Sequence, residues 1–276
     1  MRAPEPTTLT PLKDGLATIV REAGALAAST FRGEHLKSWT KAGDSPVTEA
    51  DIAVDRFLRE RLTRLAPDCG WLSEETEDNR ARLGGPRLWI VDPIDGTRAY
   101  VAGRTDWAVS VALVENGRPV AAAVFSPVED GLYLATAGEG ATRDGEPITA
   151  NAGGDFAGAH VAGPKPMIGE LEKFAPGIIA EPKVHSLALR LTRVAAGKLD
   201  IAFASKNSND WDLAAADLIV HEAGAALTTL DGRAIVYNSA ETRHGALIAA
   251  GTARHARAIA ITRDWQTRRA LHDSLA

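Results

Sequence analysis

The sequence predicts a mixed chain, α+β in its first half and alternating α/β in its second. Apolar residues recur at helical spacing up to Leu65. Short apolar runs separated by turn signals follow. Beyond about residue 150 strand-like and helix-like segments take turns.

The elements follow in order. Leu9, Leu12, Leu16, Ile19, Val20, Ala23 and Ala27 define one face of a long first helix. The polar stretch Lys41-Ala42-Gly43-Asp44-Ser45-Pro46 reads as a break. A second helix starts near Thr48, an N-cap residue followed by the acids Glu49 and Asp51, with Ile52, Phe57, Leu58, Leu62 and Leu65 as its apolar face. Gly70-Trp71-Leu72-Ser73 and Leu88-Trp89-Ile90-Val91 read as short strands, the second fully buried. Trp107 to Val114 and Pro119 to Phe125 flank Asn116-Gly117, the strongest short hairpin signal. Tyr133-Leu134 and the Asp144-Gly145 turn extend this largely antiparallel meander. In the second half, strands are expected at 159–161, 199–204, 225–229 and 246–250. Helices are expected at 187–196, 211–223 and from Ala253 onward. The Gly/Asn-rich run Ala150 to Gly154 is the best boundary, dividing residues 1–150 from 151–276.

Composition narrows the function. The chain has 276 residues, 45% of them hydrophobic, enough for a substantial core. Its net charge of -5 does not suit a general nucleic-acid binder, so an anionic ligand would need a local positive centre such as a metal. The single Cys69 cannot form an internal disulfide and reads as a small apolar residue. Met1 to Pro6 hold no signal-like apolar stretch, and no run approaches a membrane span. A cytoplasmic chain with no membrane partner is the expectation.

Three segments carry chemistry. Glu74-Glu75 follow a strand. Asp92-Pro93-Ile94-Asp95-Gly96-Thr97 places two carboxylates three apart just past a buried strand. Pro93 stiffens the turn and Gly96 allows a backbone closed to other residues. Oxygen donors of this kind suit Mg2+, and amides opening a helix at Thr97 suit a phosphate. Taken alone, the same segment is equally readable as an ordinary Asp/Gly turn. Asn209-Asp210-Trp211-Asp212 opens an Ala-rich helix, which helix capping by Asp210 or Asp212 would also explain. His185, His221, His244 and His255 read as surface or satisfied residues, and Ser186 lacks the surroundings of a nucleophile.

Leu72-Ser73-Glu74-Glu75, Asp92 to Thr97, and Trp211-Asp212-Leu213-Ala214-Ala215 together resemble the signature set of the inositol monophosphatase family. Asp44 to Asp51 and Glu222-Ala223-Gly224 extend the likeness over nearly the whole chain. The resemblance implies a layered α-β-α-β-α sandwich and a phosphomonoesterase using two to three Mg2+. Glu74, Asp92 and the Ile94 carbonyl would hold one metal. Asp92, Asp95 and Asp212 would hold the second, with Glu74 bordering a third. Asp51 and Thr97 would orient and help deprotonate the attacking water, with Glu75 in support. Asp95, Gly96, Thr97 and Asp212 would meet the substrate, a small phosphorylated molecule. A homodimer and sensitivity to Li+ are also implied.

Two positions depart from the pattern. Ser205 stands where the inositol branch has a hydroxyl-binding Glu, and Arg98-Ala99-Tyr100 stand where the nucleotidases commonly have Lys-Glu-Phe. Asp44 to Thr48 with Ala50-Asp51, Thr229-Leu230-Asp231-Gly232 and Ser205 resemble the 3'(2'),5'-bisphosphate nucleotidase branch of the CysQ type more than the inositol branch, and that branch is the expectation. Lys183, Arg190 and Lys206 are candidates for a distal phosphate. Inositol-1-phosphate, histidinol phosphate and other sugar phosphates are the alternatives. A protein that binds the transcription machinery, with incidental phosphatase activity, is the rival of another class.

Overall fold

The computed structural model describes residues 9–33, 36–41 and 45–275. The Met1 to Pro6 segment and Ala42, Gly43 and Asp44 of the expected break lie outside the described residues. Helix α1 (Leu9–Thr30) buries Leu16, Ile19, Val20, Ala23 and Ala27 on the stripe their spacing defines. The polar stretch after it is not a plain loop. Strands β1 (Ser38–Lys41) and β2 (Ser45–Thr48) pair antiparallel, with Trp39 opposite Val47. Pro46 is accommodated because a two-stranded ribbon is all edge, where proline is tolerated.

Helix α2 (Glu49–Leu65) begins after Thr48. The Thr48 side chain accepts the Ala50 and Asp51 N–H groups, and Asp51 Oδ2 accepts the Thr48 N–H at 2.7 Å, a reciprocal capping box. Its buried stripe is Val54, Leu58 and Leu62. Ile52, expected on that face, is only half-buried, and Phe57 and Leu65 pack at the margin.

The chain then builds a seven-stranded sheet whose spatial order follows the sequence: β3 (Gly70–Ser73), β4 (Arg87–Asp95), β5 (Ala108–Glu115), β6 (Arg118–Ser126), β7 (Gly131–Thr136), β8 (Ala141–Arg143) and β9 (Glu146–Pro147). Only β3 and β4 run parallel. The short helix α3 (Thr97–Val101) interrupts between β4 and β5. Asn116 and Gly117 both have positive φ, 50° and 77°, the backbone that a two-residue hairpin matching the sheet twist needs. Cys69 is half-buried, and burial pushes its thiol up to about 11, so it stays protonated and unreactive near neutral pH.

The second half comprises β10 (His160–Ala162), α4 (Lys165–Phe174), β11 (Ile179–Ala180), α5 (Leu187–Ala195), β12 (Ile201–Ala204), β13 (Ser208–Asn209), α6 (Asp210–Glu222), β14 (Ala225–Thr229), β15 (Arg243–His244), β16 (Leu247–Gly251) and α7 (Thr252–Leu275). A five-stranded mixed sheet has the order β11-β10-β12-β16-β14. Helix α4 was not expected, because Pro164, Pro166 and Gly169 break its pattern; Pro166 sits in the first turn, where its missing N–H costs nothing.

Three cores define five layers. Helices α1 and α2 cover one face of the large sheet through Trp89, Val91, Val109 and Leu113. Its other face, through Leu88, Ile90, Ala112 and Val124, meets α5 and α6, which also cover Ala202, Leu227 and Ala249 of the small sheet. The far face of the small sheet packs on α4 and α7 through Val161, Phe203 and Ile248. The architecture is the α-β-α-β-α sandwich. No helix among the described residues is long and apolar enough to cross a membrane.

Candidate metal centre

The expectation that Asp92 and Asp95 lie just past a strand needs correction. Strand β4 runs through Asp95, and its pairing with β5 slips between the two acids: Asp92 faces Ser110 whereas Asp95 faces Ala108. Three steps on β4 thus match two on β5, a β-bulge. In a regular strand residues three apart point to opposite faces. The extra residue restores parity. Ile94 therefore joins the core under α1 and α2, while Asp92 and Asp95 both turn toward α5 and α6.

Helix α6 brings the third acid. Asn209, rather than Asp210 or Asp212, is the N-cap residue, and Asp212 Oδ2 accepts the Asn209 N–H at 2.6 Å. Carboxylate oxygens of Asp92, Asp95 and Asp212 lie within 4.8 Å of one another. With Glu74, Gly96 and Thr97 they line a cavity of about 270 Å³, whose lining also includes Pro46, Arg98, Lys183 and His185. Glu74 is placed by its backbone N–H, which donates to Val91 O and continues the β3–β4 pairing. Asp51, Ile94 and Glu75 are not lining residues; Glu75 is half-buried, its N–H donating to Ser73 Oγ.

The hydrogen bonds divide these acids. Asp95 Oδ2 accepts the Ser186 hydroxyl and the Ala188 N–H, both at 2.6 Å, and Oδ1 accepts the Leu187 N–H at 3.2 Å. Asp95 therefore also ties down the start of α5. Asp92 Oδ1 accepts the Ile94 N–H, but Oδ2 is buried with no hydrogen-bond partner. Burial, then the charges of Glu74, Asp95, Asp212 and Asp51, push the Asp92 carboxyl well above its ordinary range. Burial also raises Asp95, and burial with Asp95 beside it raises Asp212 to about 7. Carboxylates buried together with an orphaned oxygen fit a hard divalent cation, whose charge would offset their repulsion.

Thr97 Oγ1 lies 3.3 Å from Asp51 Oδ1 and 3.0 Å from Ile94 O, so its single proton can serve only one of them at a time. Gly96 has φ 96°, and a Cβ there would meet Asp106 O and Ser186 N at 3.1 Å. Glycine is needed twice, for the backbone conformation and for the close approach.

Some basic candidates change status. Arg190 is not a surface cation: it is buried, donating to Phe203 O and Val184 O. Lys206 is exposed and does not line the cavity; Lys183 does. His185 was passed over, yet it faces the site. Its Nδ1 and its backbone N–H both lie 2.7 Å from Asp106 Oδ2. Burial raises the Asp106 carboxyl, but the His185 hydrogen bonds outweigh it and hold the group below its usual range. His244 and His255 are satisfied by Asp210 and Thr228, and His221 is exposed.

Comparison with known proteins bears on this geometry. The model of the inositol monophosphatase family matches residues 8–266. Histidinol-phosphatase of Mycobacterium tuberculosis is 35% identical over 221 residues, 76% of this chain and 84% of that one. The 3'(2'),5'-bisphosphate nucleotidase CysQ of Shigella flexneri is 28% identical over 242 residues, 83% of this chain and 95% of the relative. The solved structure of the IMPase of Thermotoga maritima superposes with a TM-score of 0.78 at 26% identity, covering 91% of this chain and 96% of that one.

Proposed function

The chain belongs to the inositol monophosphatase family, and on that premise we propose that it is a Mg2+-dependent phosphomonoesterase. The observation that carries the reading is Asp92, whose Oδ2 is buried without a partner among the carboxylates of Glu74, Asp95, Asp212 and Asp51. Glu74, Asp92 and the Ile94 carbonyl would hold one Mg2+; Asp92, Asp95 and Asp212 would hold a second, and Glu74 would border a third. When bound, the metals supply charge neutralisation on the phosphate and acidify the attacking water. The chain's own groups do the rest. Asp51 accepts the Thr97 hydroxyl proton, which leaves the Thr97 lone pairs to accept and orient the water. The amides of Gly96 and Thr97, which open α3 and have no helical acceptor, hold phosphate oxygens. Glu75 supports Glu74 from behind.

The proposed substrate is adenosine 3',5'-bisphosphate, losing its 3'-phosphate. Ser205 supports this choice, since a carboxylate there would repel a second phosphate and a serine does not. The basic lining residues Lys183 and Arg98 support it as well. A histidinol phosphatase is the second reading, favoured by the 35% identity to a protein of that name. A turnover screen of adenosine 3',5'-bisphosphate, inositol-1-phosphate, fructose-1,6-bisphosphate and histidinol phosphate separates them. The bisphosphate should show the highest kcat/KM. A higher value for any other compound moves the assignment to it.

A further inference from the structure

Hydrolysis of a phosphate monoester leaves one proton to be delivered. When the ester bond breaks, its electron pair goes to the departing oxygen, and an aliphatic alkoxide is a strong base that leaves poorly until it is protonated. Asp51 and Thr97 are committed to the attacking water. Apart from the carboxylates assigned to metals, His185 is the one side chain lining the cavity that can release a proton near neutral pH.

Its surroundings set the ring for that task. Asp106 Oδ2 lies 2.7 Å from Nδ1, and the Asp106 carboxyl is held below its usual range, so it is ionised and can only accept. Nδ1 therefore keeps a proton, and Nε2 is the atom that gains or loses one. Among the described residues Nε2 has no partner, and it is open to solvent. Asp106 does not need the ring for its own sake. Its Oδ1 accepts Arg104 Nε at 3.1 Å, and its Oδ2 already accepts the His185 backbone N–H at 2.7 Å. The bond to Nδ1 instead fixes the tautomer and the direction of the imidazole.

The position also fits. Gly96 packs on the segment that carries the ring: a Cβ there would come within 3.1 Å of Ser186 N and 3.3 Å of Ser186 Cα. The hydroxyl of the next residue, Thr97, meets Asp51 on α2. Helices α2 and α5 cover opposite faces of the large sheet. A phosphate on the Gly96 and Thr97 amides therefore has the water-orienting pair on its α2 side and His185 on its α5 side. In-line displacement puts the attacking and leaving oxygens on opposite sides of phosphorus. At about 270 Å³ the cavity is small for a ligand pocket, which leaves little space between a bound ester and the ring.

We propose that His185, oriented by Asp106, is the proton donor to the leaving alcohol. The attacking water gives up one proton as its oxygen bonds to phosphorus. The ester P–O bond breaks, and its electron pair takes the Nε2 proton. The alcohol departs neutral, the phosphate keeps the water's other hydrogen, and Nε2 regains a proton from solvent while Nδ1 stays on Asp106. The assignment rests on the phosphatase reading above and adds to it a catalytic group.

The test compares leaving groups on the full chain with Mg2+. His185→Gln is assayed on whichever compound of the screen above has the highest kcat/KM, each being an ester of an aliphatic alcohol. It is also assayed on 4-nitrophenyl phosphate, whose nitrophenolate leaves as a stable anion. Relative to wild type, kcat/KM should fall about 10²-fold on the aliphatic ester and by no more than about threefold on the nitrophenyl ester. Equal losses on the two, or none on the aliphatic ester, overturn the proposal. His185→Gly gives a second reading, and decides alone should the nitrophenyl ester not be a substrate. Added imidazole should restore part of its rate on the aliphatic ester, and a rate indifferent to imidazole overturns the proposal. Mg2+ binding followed by calorimetry should match wild type in His185→Gln; weakened binding would place the loss in the metal site instead. If the wild type releases phosphate from no ester, the phosphatase reading falls and the donor with it, whereas an active wild type beside an equally active variant removes the donor alone.

Discussion

The two sides of the α6 N-terminus treat a buried carboxylate in opposite ways. On the β15 side, Asp210 is fully buried and enclosed by donors: Oδ1 meets His244 Nε2 at 2.6 Å and Oδ2 accepts the Asn238 N–H at 3.0 Å. On the β4 side, two residues on, Asp212 faces Asp92 and Asp95. Asp55 belongs with Asp210, since the Ser73 and Thr76 hydroxyls donate to it. Asp92, with its orphaned oxygen, belongs with Asp212. Burial alone therefore does not mark a functional acid. What distinguishes the two regions is that the donors around Asp210 and Asp55 reach both carboxylate oxygens, whereas acids crowd against one another on the β4 side and Asp92 Oδ2 is left without a donor.

The sharpest way to break this contrast is to neutralise one acid on each side. Asp92→Asn should abolish Mg2+-dependent activity and leave the metal-free Tm unchanged or higher, because it removes a repelled charge. Asp210→Asn should do the reverse, costing about 3 kcal/mol of stability as a buried partner is lost, with Mg2+ affinity preserved. Thermal unfolding with and without Mg2+, beside a rate assay, reads both. A metal-free Tm that falls as far in Asp92→Asn as in Asp210→Asn would erase the distinction.

A smaller effect is expected where the two kinds of acid meet in one residue. Asp51 gives Oδ2 to the Thr48 cap and Oδ1 to Thr97. Thr97→Ala should lower kcat by about 10²–10⁴ with little change in Mg2+ affinity. Asp51→Asn should lose both rate and stability, and Thr48→Ala stability alone, by about 1 kcal/mol. The double variant Thr97→Ala/Asp51→Asn should cost much less rate than the product of the singles; strictly multiplicative losses would show that the pair does not act as a unit.

Asp217 gives the smallest effect and a pH dependence. Burial raises its carboxyl to about 6, although the Tyr237 hydroxyl donates to it at 2.9 Å. The folded state therefore binds this proton more tightly than the unfolded state. Its contribution to stability is complete below about pH 4 and is lost as pH rises through about 6. Asp217→Asn, which cannot ionise, should gain Tm relative to wild type across that window. A constant difference would show that Asp217 is ionised throughout.

Much of the fold was legible because its signals are local: the α1 stripe, the Asn116-Gly117 turn and the Thr48 cap each lie within a few residues of what they specify. The β1–β2 ribbon and α4 were hidden by prolines at positions that tolerate them. In the site, the acids were legible as a motif, but the bulge that turns Asp92 and Asp95 to one side is a property of pairing with β5. The missed groups share a cause. Asp106 and His185 are 79 positions apart, and Ser186 and Asp95 are 91, so no spacing could join them. Arg190 resembled a surface cation because its carbonyl partners are invisible in a sequence.

The central claim is that Asp92, Asp95 and Asp212, with Glu74, form a metal site that serves phosphate ester hydrolysis. The most direct test is phosphate release from adenosine 3',5'-bisphosphate, inositol-1-phosphate and histidinol phosphate, each followed with Mg2+, with excess chelator, and after Mg2+ is restored. Release from at least one of them with Mg2+, its loss in chelator and its recovery are the expected results. Release undiminished by chelator would contradict the account.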